Sequence, residues 1–222
     1  MSKTVAASGD GRAAMPPHAQ EFSLYATDGG RKYLNRDERQ RVLAATASLK
    51  PDQALFVLTL AWTGARVSEV LALTPASFQT ERSVVAIRTL KRRKHHVREV
   101  PVPPTLMNML DRHFRISAMQ RDPRDADHRL WPRHRVTAWR SIKRVMMFAQ
   151  VIGRQACPRG LRHAFGVGTL QSGVPLNLTQ RWLGHARIST TSIYANASGP
   201  EEIIFAELFW GPASATYSLT RK

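Results

Sequence analysis

The chain has 222 residues, 43% hydrophobic and 22% charged, enough apolar material for one substantial core or two small ones. A formal charge of +17 at pH 7 and a sequence pI of about 11.3 give the surface a strong positive potential and make nucleic acid the first expected partner. No apolar run of transmembrane length and no secretory-type leader is present, so a cytoplasmic, nucleoid-associated protein without membrane attachment is expected; the single Cys157 excludes a disulfide framework and a cysteine-rich zinc site.

Residues 1–34, with Gly9, Gly11, Pro16, Pro17, Gly29 and Gly30 and no clear periodicity, read as a flexible N-terminal arm. Order is expected to begin at Asn35, which can cap a helix with Glu38 as its capping-box partner and Val42 and Leu43 on the apolar side. Pro51 opens a second helix through Leu55, Phe56, Leu58 and Trp62 to a stop at Gly64, and a short third helix covers Val67 to Leu73. The period then changes. Ser83 to Arg88 is rich in β-branched residues and Val97 to Val102 alternates, which predicts a β-hairpin whose tip, Arg92 to His96, is highly basic. Pro103 and Pro104 lead into a helix through Leu106, Met109, Leu110 and Phe114. Asp122 to Asp127 is a loop, and Thr137 to Gln150 a helix with Trp139, Ile142, Val145, Met146 and Phe148 available for burial. Further helices are predicted at 161–171, 176–183, 189–196 and 201–209. The fold class is mainly α with one small antiparallel β-sheet.

The positive charge is concentrated in the middle of the chain. Between Arg82 and Arg144 seventeen Lys or Arg face five acids, and Trp131, Trp139 and His134 are interleaved with Arg129, Arg133, Arg135 and Arg140. That mixture suits a groove following a phosphate backbone, and double-stranded DNA is the partner it favours most.

Three separated segments carry a recognisable chemistry. Thr63-Gly64-Ala65-Arg66-Val67-Ser68-Glu69, Leu161-Arg162-His163-Ala164-Phe165, and Leu183-Gly184-His185 followed by Thr190-Thr191-Ser192-Ile193-Tyr194-Ala195 stand in this order, with the basic hairpin between the first and second. Together they resemble the arginine, arginine and histidine–tyrosine boxes of the tyrosine recombinases, or phage integrase family, over roughly residues 35–210. The resemblance implies a tyrosine recombinase catalytic-domain fold over residues 35–211, followed by a C-terminal tail at 212–222. It also implies a site-specific DNA strand transferase working in a homo-oligomeric, tetrameric synapse, with no cofactor, metal or ATP. By the same resemblance Arg66 and Arg162 grip the scissile phosphate, His185 donates a hydrogen bond to it or assists proton movement, and Tyr194 is the nucleophile of a 3′-phosphotyrosine intermediate.

These assignments fit the chemistry. Attack on a phosphodiester loads negative charge onto the nonbridging oxygens, and guanidiniums hold such oxygens in bidentate fashion. A tyrosine with a pKa near ~10 needs nearby positive charge to favour its phenolate. Glu69, three residues after Arg66 on a helix, is suited to orienting that guanidinium. The resemblance also implies a lysine on the hairpin that protonates the leaving 5′ oxygen; Lys91 is the first choice and Lys94 the alternative.

Two features depart from the family pattern. Where the second box has His-x-x-Arg, this chain has Arg159-Gly160-Leu161-Arg162. Arg159 cannot accept a proton near neutral pH and is read as a third phosphate clamp, while His163 is read as structural. Only about 34 residues precede the first helix, too few for the separate DNA-clamping domain of most family members. The 201–209 segment, with Ile203, Ile204, Leu208 and Phe209, and then Trp210, is expected to dock either on a neighbouring protomer or on its own domain. A type IB topoisomerase-like enzyme and a catalytically silent DNA-binding protein are the alternatives.

Overall fold

The computed structural model describes residues 23–89 and 96–196. Helix α1 (Arg36–Ala45) starts at the capping box: the Asn35 side chain accepts the Glu38 N–H at 2.8 Å and the Glu38 carboxylate accepts the Asn35 N–H at 2.9 Å. Helix α2 (Pro51–Thr63) has proline at its first turn and buries Leu55, Phe56, Val57, Leu60 and Ala61. It is apolar on most sides because it runs through the core, packed against four other helices. A short helix α3 (Val67–Val70) follows, and the chain turns at Leu71, earlier than the sequence pattern predicts.

The sheet has three antiparallel strands in the order β1 (Phe78–Gln79), β2 (Val84–Arg88) and β3 (Val97–Pro101), with Val85 opposite Val100 and Ile87 opposite Arg98. The two-residue β1 is an addition to the predicted hairpin. Helices α4 (Pro104–Phe114) and α5 (Ile116–Met119) lead to α6 (Arg135–Phe148), α7 (Pro158–Gln171), α8 (Leu176–Leu183) and α9 (Ser189–Ser192), then a 3₁₀ turn at Ile193–Asn196. Helices α4, α6 and α7 all pack on α2. No helix among the described residues is long and apolar enough to cross a membrane.

Three expectations change. The expected flexible arm does not reach residue 34: Leu24, Tyr33 and Leu34 are buried in the core, and Tyr25 and Arg31 form an isolated antiparallel bridge. Apolar side chains too widely spaced to show a period still bury when the chain is held against a helix. Trp131 does not line a basic surface: it is fully buried, edge-on to Phe56 and Phe114 at 5.5 and 5.1 Å, and its indole N–H donates to the Asp52 carbonyl. On α6 the buried face is Ala138, Ser141, Ile142, Val145 and Met146, whereas Trp139 and Phe148 are about half exposed. The two flank the stripe that Ile142, Val145 and Met146 define, Trp139 at its Met146 edge and Phe148 on the opposite side.

Candidate active site

The first arginine segment lies where α2 ends and α3 begins. Arg66 is the residue before α3; its backbone N–H donates to Glu69 Oε2 at 2.9 Å and its guanidinium to Glu69 Oε1 at 2.8 Å. The Arg66 side chain keeps 29% of its surface exposed, so one edge of the fork faces outward while Glu69 fixes the other. Glu69 also takes a hydrogen bond from Arg98 at 2.7 Å. Burial pushes the Glu69 carboxyl up, but Arg98 and then Arg66 outweigh it and hold the group below the usual carboxylate range.

Arg98 was not among the sequence candidates. It is fully buried, donating also to the Thr89 hydroxyl and to the Trp182 carbonyl. Strand parity was the signal that could have found it. Val100 and Val102 point into the core, and a period of two puts Arg98 on that same face and Val97 on the outside, where it is half exposed.

Arg162 lies on α7 and reaches two helix C-termini. Its fork donates to the carbonyl of Gly64, at the end of α2, at 2.5 Å, and to that of Leu183, the last residue of α8, at 2.7 Å. Helix ends present unsatisfied carbonyls with partial negative charge, so they anchor a guanidinium without neutralising it. Each Nη nitrogen still has a second N–H to offer. Burial, then the charge of Arg66, lowers the Arg162 pKa to about 10, which leaves it cationic at neutral pH. The turn after α8 requires glycine: Gly184 has φ +67°, and a Cβ there would lie 3.0 Å from the Arg98 guanidinium.

Tyr194 sits in the 3₁₀ turn after α9, 2% exposed, against Gly166 of α7, where a Cβ would come within 2.6 Å of its ring. Burial pushes its phenol up to about 12, although the charges of Arg162 and Arg66 pull in the opposite direction. His185 lies beside it, rings stacked 16° from parallel with centroids 6.2 Å apart, and its Nδ1 is 2.9 Å from the Thr191 hydroxyl. The pKa of His185 falls to about 3, by burial and then by Arg162 and Arg66, so the ring is neutral.

Four of the sequence candidates, Arg66, Arg162, His185 and Tyr194, therefore share one site, with Glu69 bracing the first. Arg159 is an exposed side chain on the first turn of α7, engaged by no hydrogen bond or ion pair among the described residues, and its charge is felt at His163. Lys91 and Lys94 lie outside the described residues, as does the 201–209 segment. His163, read from the sequence as structural, is buried, and its Nδ1 is 3.1 Å from the Tyr194 hydroxyl.

Residues 32–200 match the sequence profile of the phage integrase family. The chain belongs to the phage integrase family. Among relatives, it is 30% identical over 173 residues to the tyrosine recombinase XerA of Thermococcus onnurineus, a match covering 75% of this chain and 58% of that protein. The chain thus spans less than two thirds of the length of that relative. Its fold is similar to the catalytic domain of bacteriophage HP1 integrase, with a TM-score of 0.57, 23% identity and coverage of 84% of this chain and 98% of the other. It is also similar to the XerH site-specific recombinase bound to palindromic difH substrate in a post-cleavage complex, with a TM-score of 0.64, 19% identity and coverage of 81% and 54%. In this member of the phage integrase family, the charges of Arg66 and Arg162 act on both the neutral His185 imidazole and the Tyr194 phenol.

Proposed function

We propose that this chain is the catalytic domain of a site-specific DNA recombinase that cleaves and rejoins double-stranded DNA through a 3′-phosphotyrosine at Tyr194. The observation that supports this reading most is the gathering of Arg66, Arg162 and His185 around the Tyr194 phenol. Attack by the phenol oxygen on phosphorus forms the phosphotyrosine bond and expels the 5′ oxygen. Arg66 and Arg162 hold the nonbridging oxygens, on which negative charge grows; donors fixed in advance stabilise that charge without reorganising. Their charge also favours the phenolate over the phenol. Reversal with a different 5′-hydroxyl rejoins the strand, and the phosphotyrosine ester conserves the bond energy so that ATP is not consumed.

In this proposal Lys91 protonates the leaving 5′ oxygen, with Lys94 as the alternative, and Arg159 is a third phosphate clamp. The enzyme works on nucleoid DNA as a tetrameric synapse. The apolar 201–210 segment, outside the described residues, would link protomers. Between α1, α7 and α8 lies a groove of about 720 Å³ lined by Leu34, Trp62, Phe165, Val167 and Trp182, which has the apolar character to receive it. Deleting residues 200–222 should then impair synapsis more than binding of one site. A truncated chain that unfolds as a monomer would place the segment on its own domain.

The testing experiment selects a bound duplex from a random pool, nicks it near its centre so that the cleaved fragment diffuses away, and looks for a covalent adduct on a denaturing gel. Adduct formation in EDTA supports the reading. Binding without adduct on any selected duplex would indicate a silent DNA-binding protein, and efficient relaxation of supercoiled plasmid without a defined site would indicate a topoisomerase.

A further inference from the structure

The catalytic cluster contains a histidine to which the reading above gives no task, in contact with the reacting atom itself. His163 follows Arg162 on α7, is buried, and holds its Nδ1 3.1 Å from the Tyr194 hydroxyl. Its ring centroid is 5.7 Å from that of Tyr194 at a tilt of 58°, so it meets the phenol at its oxygen edge. His185 is placed differently. It stacks on the tyrosine ring and its Nδ1 is engaged by Thr191, so it presents no nitrogen to the phenol oxygen through that contact. The remaining group at this end of α7 is Arg159, which cannot accept a proton.

We propose that His163 is the general base of the cleavage step, taking the phenol proton of Tyr194 as the tyrosine attacks. The inference rests on Tyr194 being the nucleophile. In the step, the Tyr194 O–H bond breaks and its proton moves to His163 Nδ1, the phenol oxygen forms a bond to phosphorus, and the phosphorus–O5′ bond breaks. The leaving 5′ oxygen takes its proton from water or a separate lysine. On rejoining, His163 returns its proton to the phenol oxygen.

The base must be neutral before the step. Burial, then the charges of Arg159, Arg162 and Lys32, lower the His163 pKa to about 4, which guarantees the neutral form. Among the described residues, those cations, with Tyr194 and His185, are the charged and titratable groups facing the ring. The same cations weaken it as a base. A DNA phosphate entering between Arg66 and Arg162 brings the opposite charge and raises its proton affinity when the proton must move. Arg159 thereby acquires a second consequence: its charge stands four residues before His163, one turn away on the helix.

The test uses the full chain and a nicked duplex selected for binding, with single-turnover adduct formation measured from pH 5 to 9. His163→Asn keeps a polar acceptor near the Nδ1 position but cannot take up a proton in this range. It should form adduct about 10²-fold more slowly than the unmodified protein at pH 7, within the range that general base catalysis contributes, with DNA affinity unchanged. Its rate should climb steadily toward alkaline pH, whereas the unmodified protein should lose rate toward pH 5 as His163, its proton affinity raised by the bound phosphate, begins to protonate. A duplex with sulfur in place of the bridging 5′ oxygen, whose leaving group needs no proton, should not rescue it. As a second variant, His163→Ala should regain rate with added imidazole. Cleavage by His163→Asn at the normal rate with an unchanged pH profile would overturn the inference, and faster cleavage would make His163 a latch that restrains Tyr194. Either result, with the adduct mapped to Tyr194, leaves the function intact. Adducts that persist in Tyr194→Phe would instead sink the nucleophile assignment.

Discussion

Glu69 and Arg98 form an ion pair at 2.7 Å in which neither side chain exposes more than 1% of its surface. The same carboxylate holds the partly exposed Arg66, so a buried β3 arginine and an arginine at the candidate site are joined through a single glutamate. Removing Glu69 leaves the buried Arg98 charge with hydrogen bonds to the Thr89 hydroxyl and Trp182 carbonyl but without its counter-ion. Glu69→Ala should therefore cost about 3–5 kcal/mol of stability, read as a lower urea midpoint. A loss below about 1 kcal/mol, the size of a surface pair, would mean that the pair is solvated.

His163 and His185 give the stability a pH dependence of definite sign. Their folded-state pKa values are about 4 and about 3, against 6.5 for an ordinary histidine. As pH falls below 6.5 the unfolded chain takes up protons first, so the contribution is complete above that pH and is lost on descending toward 4 and 3. The melting temperature should hold steady from pH 8 to 7 and fall between pH 6.5 and 5, above the range where carboxylates titrate. A flat melting temperature across that window contradicts the burial of neutral imidazoles.

The exposed arginines predict the salt response. Arg88, Arg112, Arg135, Arg140 and Arg144 are exposed, and each phosphate they neutralise releases a condensed counterion. DNA affinity should fall steeply and linearly on a log–log plot against salt, as measured by fluorescence anisotropy. A slope near zero would show that the basic surface does not face the duplex.

Much of the fold was legible because local signals and packing agree. The Asn35–Glu38 box, Pro51 and Gly64 mark helix ends by chemistry that needs no partner, and they hold in three dimensions. Arg66, Arg162, His185 and Tyr194 were legible as motifs. The rest depends on contacts between distant segments. Trp131 sits among arginines in sequence but among Phe56 and Phe114 in space, and its burial follows from long-range packing. His163, one residue past Arg162, points to a different side of its helix and reads as structural from the sequence; only the 3₁₀ turn that brings Tyr194 against α7 shows what it faces.

Arg159 provides a local test of the departure from the family pattern. As a phosphate clamp, its replacement in Arg159→Ala should slow adduct formation by about 10²-fold or more, the effect of losing one preorganised donor, with much less effect on binding. Arg159→His should retain measurable cleavage with a rate dependent on pH between roughly 5 and 8. Unchanged cleavage by Arg159→Ala would place this side chain on flanking DNA.

The central claim is that the Tyr194 hydroxyl becomes covalently joined to DNA. Denaturing electrophoresis of the unmodified protein and of Tyr194→Phe on the same nicked duplex in EDTA, followed by peptide mapping of the DNA-linked fragment, tests it directly. The account predicts an adduct mapped to Tyr194 in the unmodified protein, and its loss in Tyr194→Phe with DNA affinity nearly unchanged. An adduct on any other residue, or one surviving in Tyr194→Phe, would contradict it.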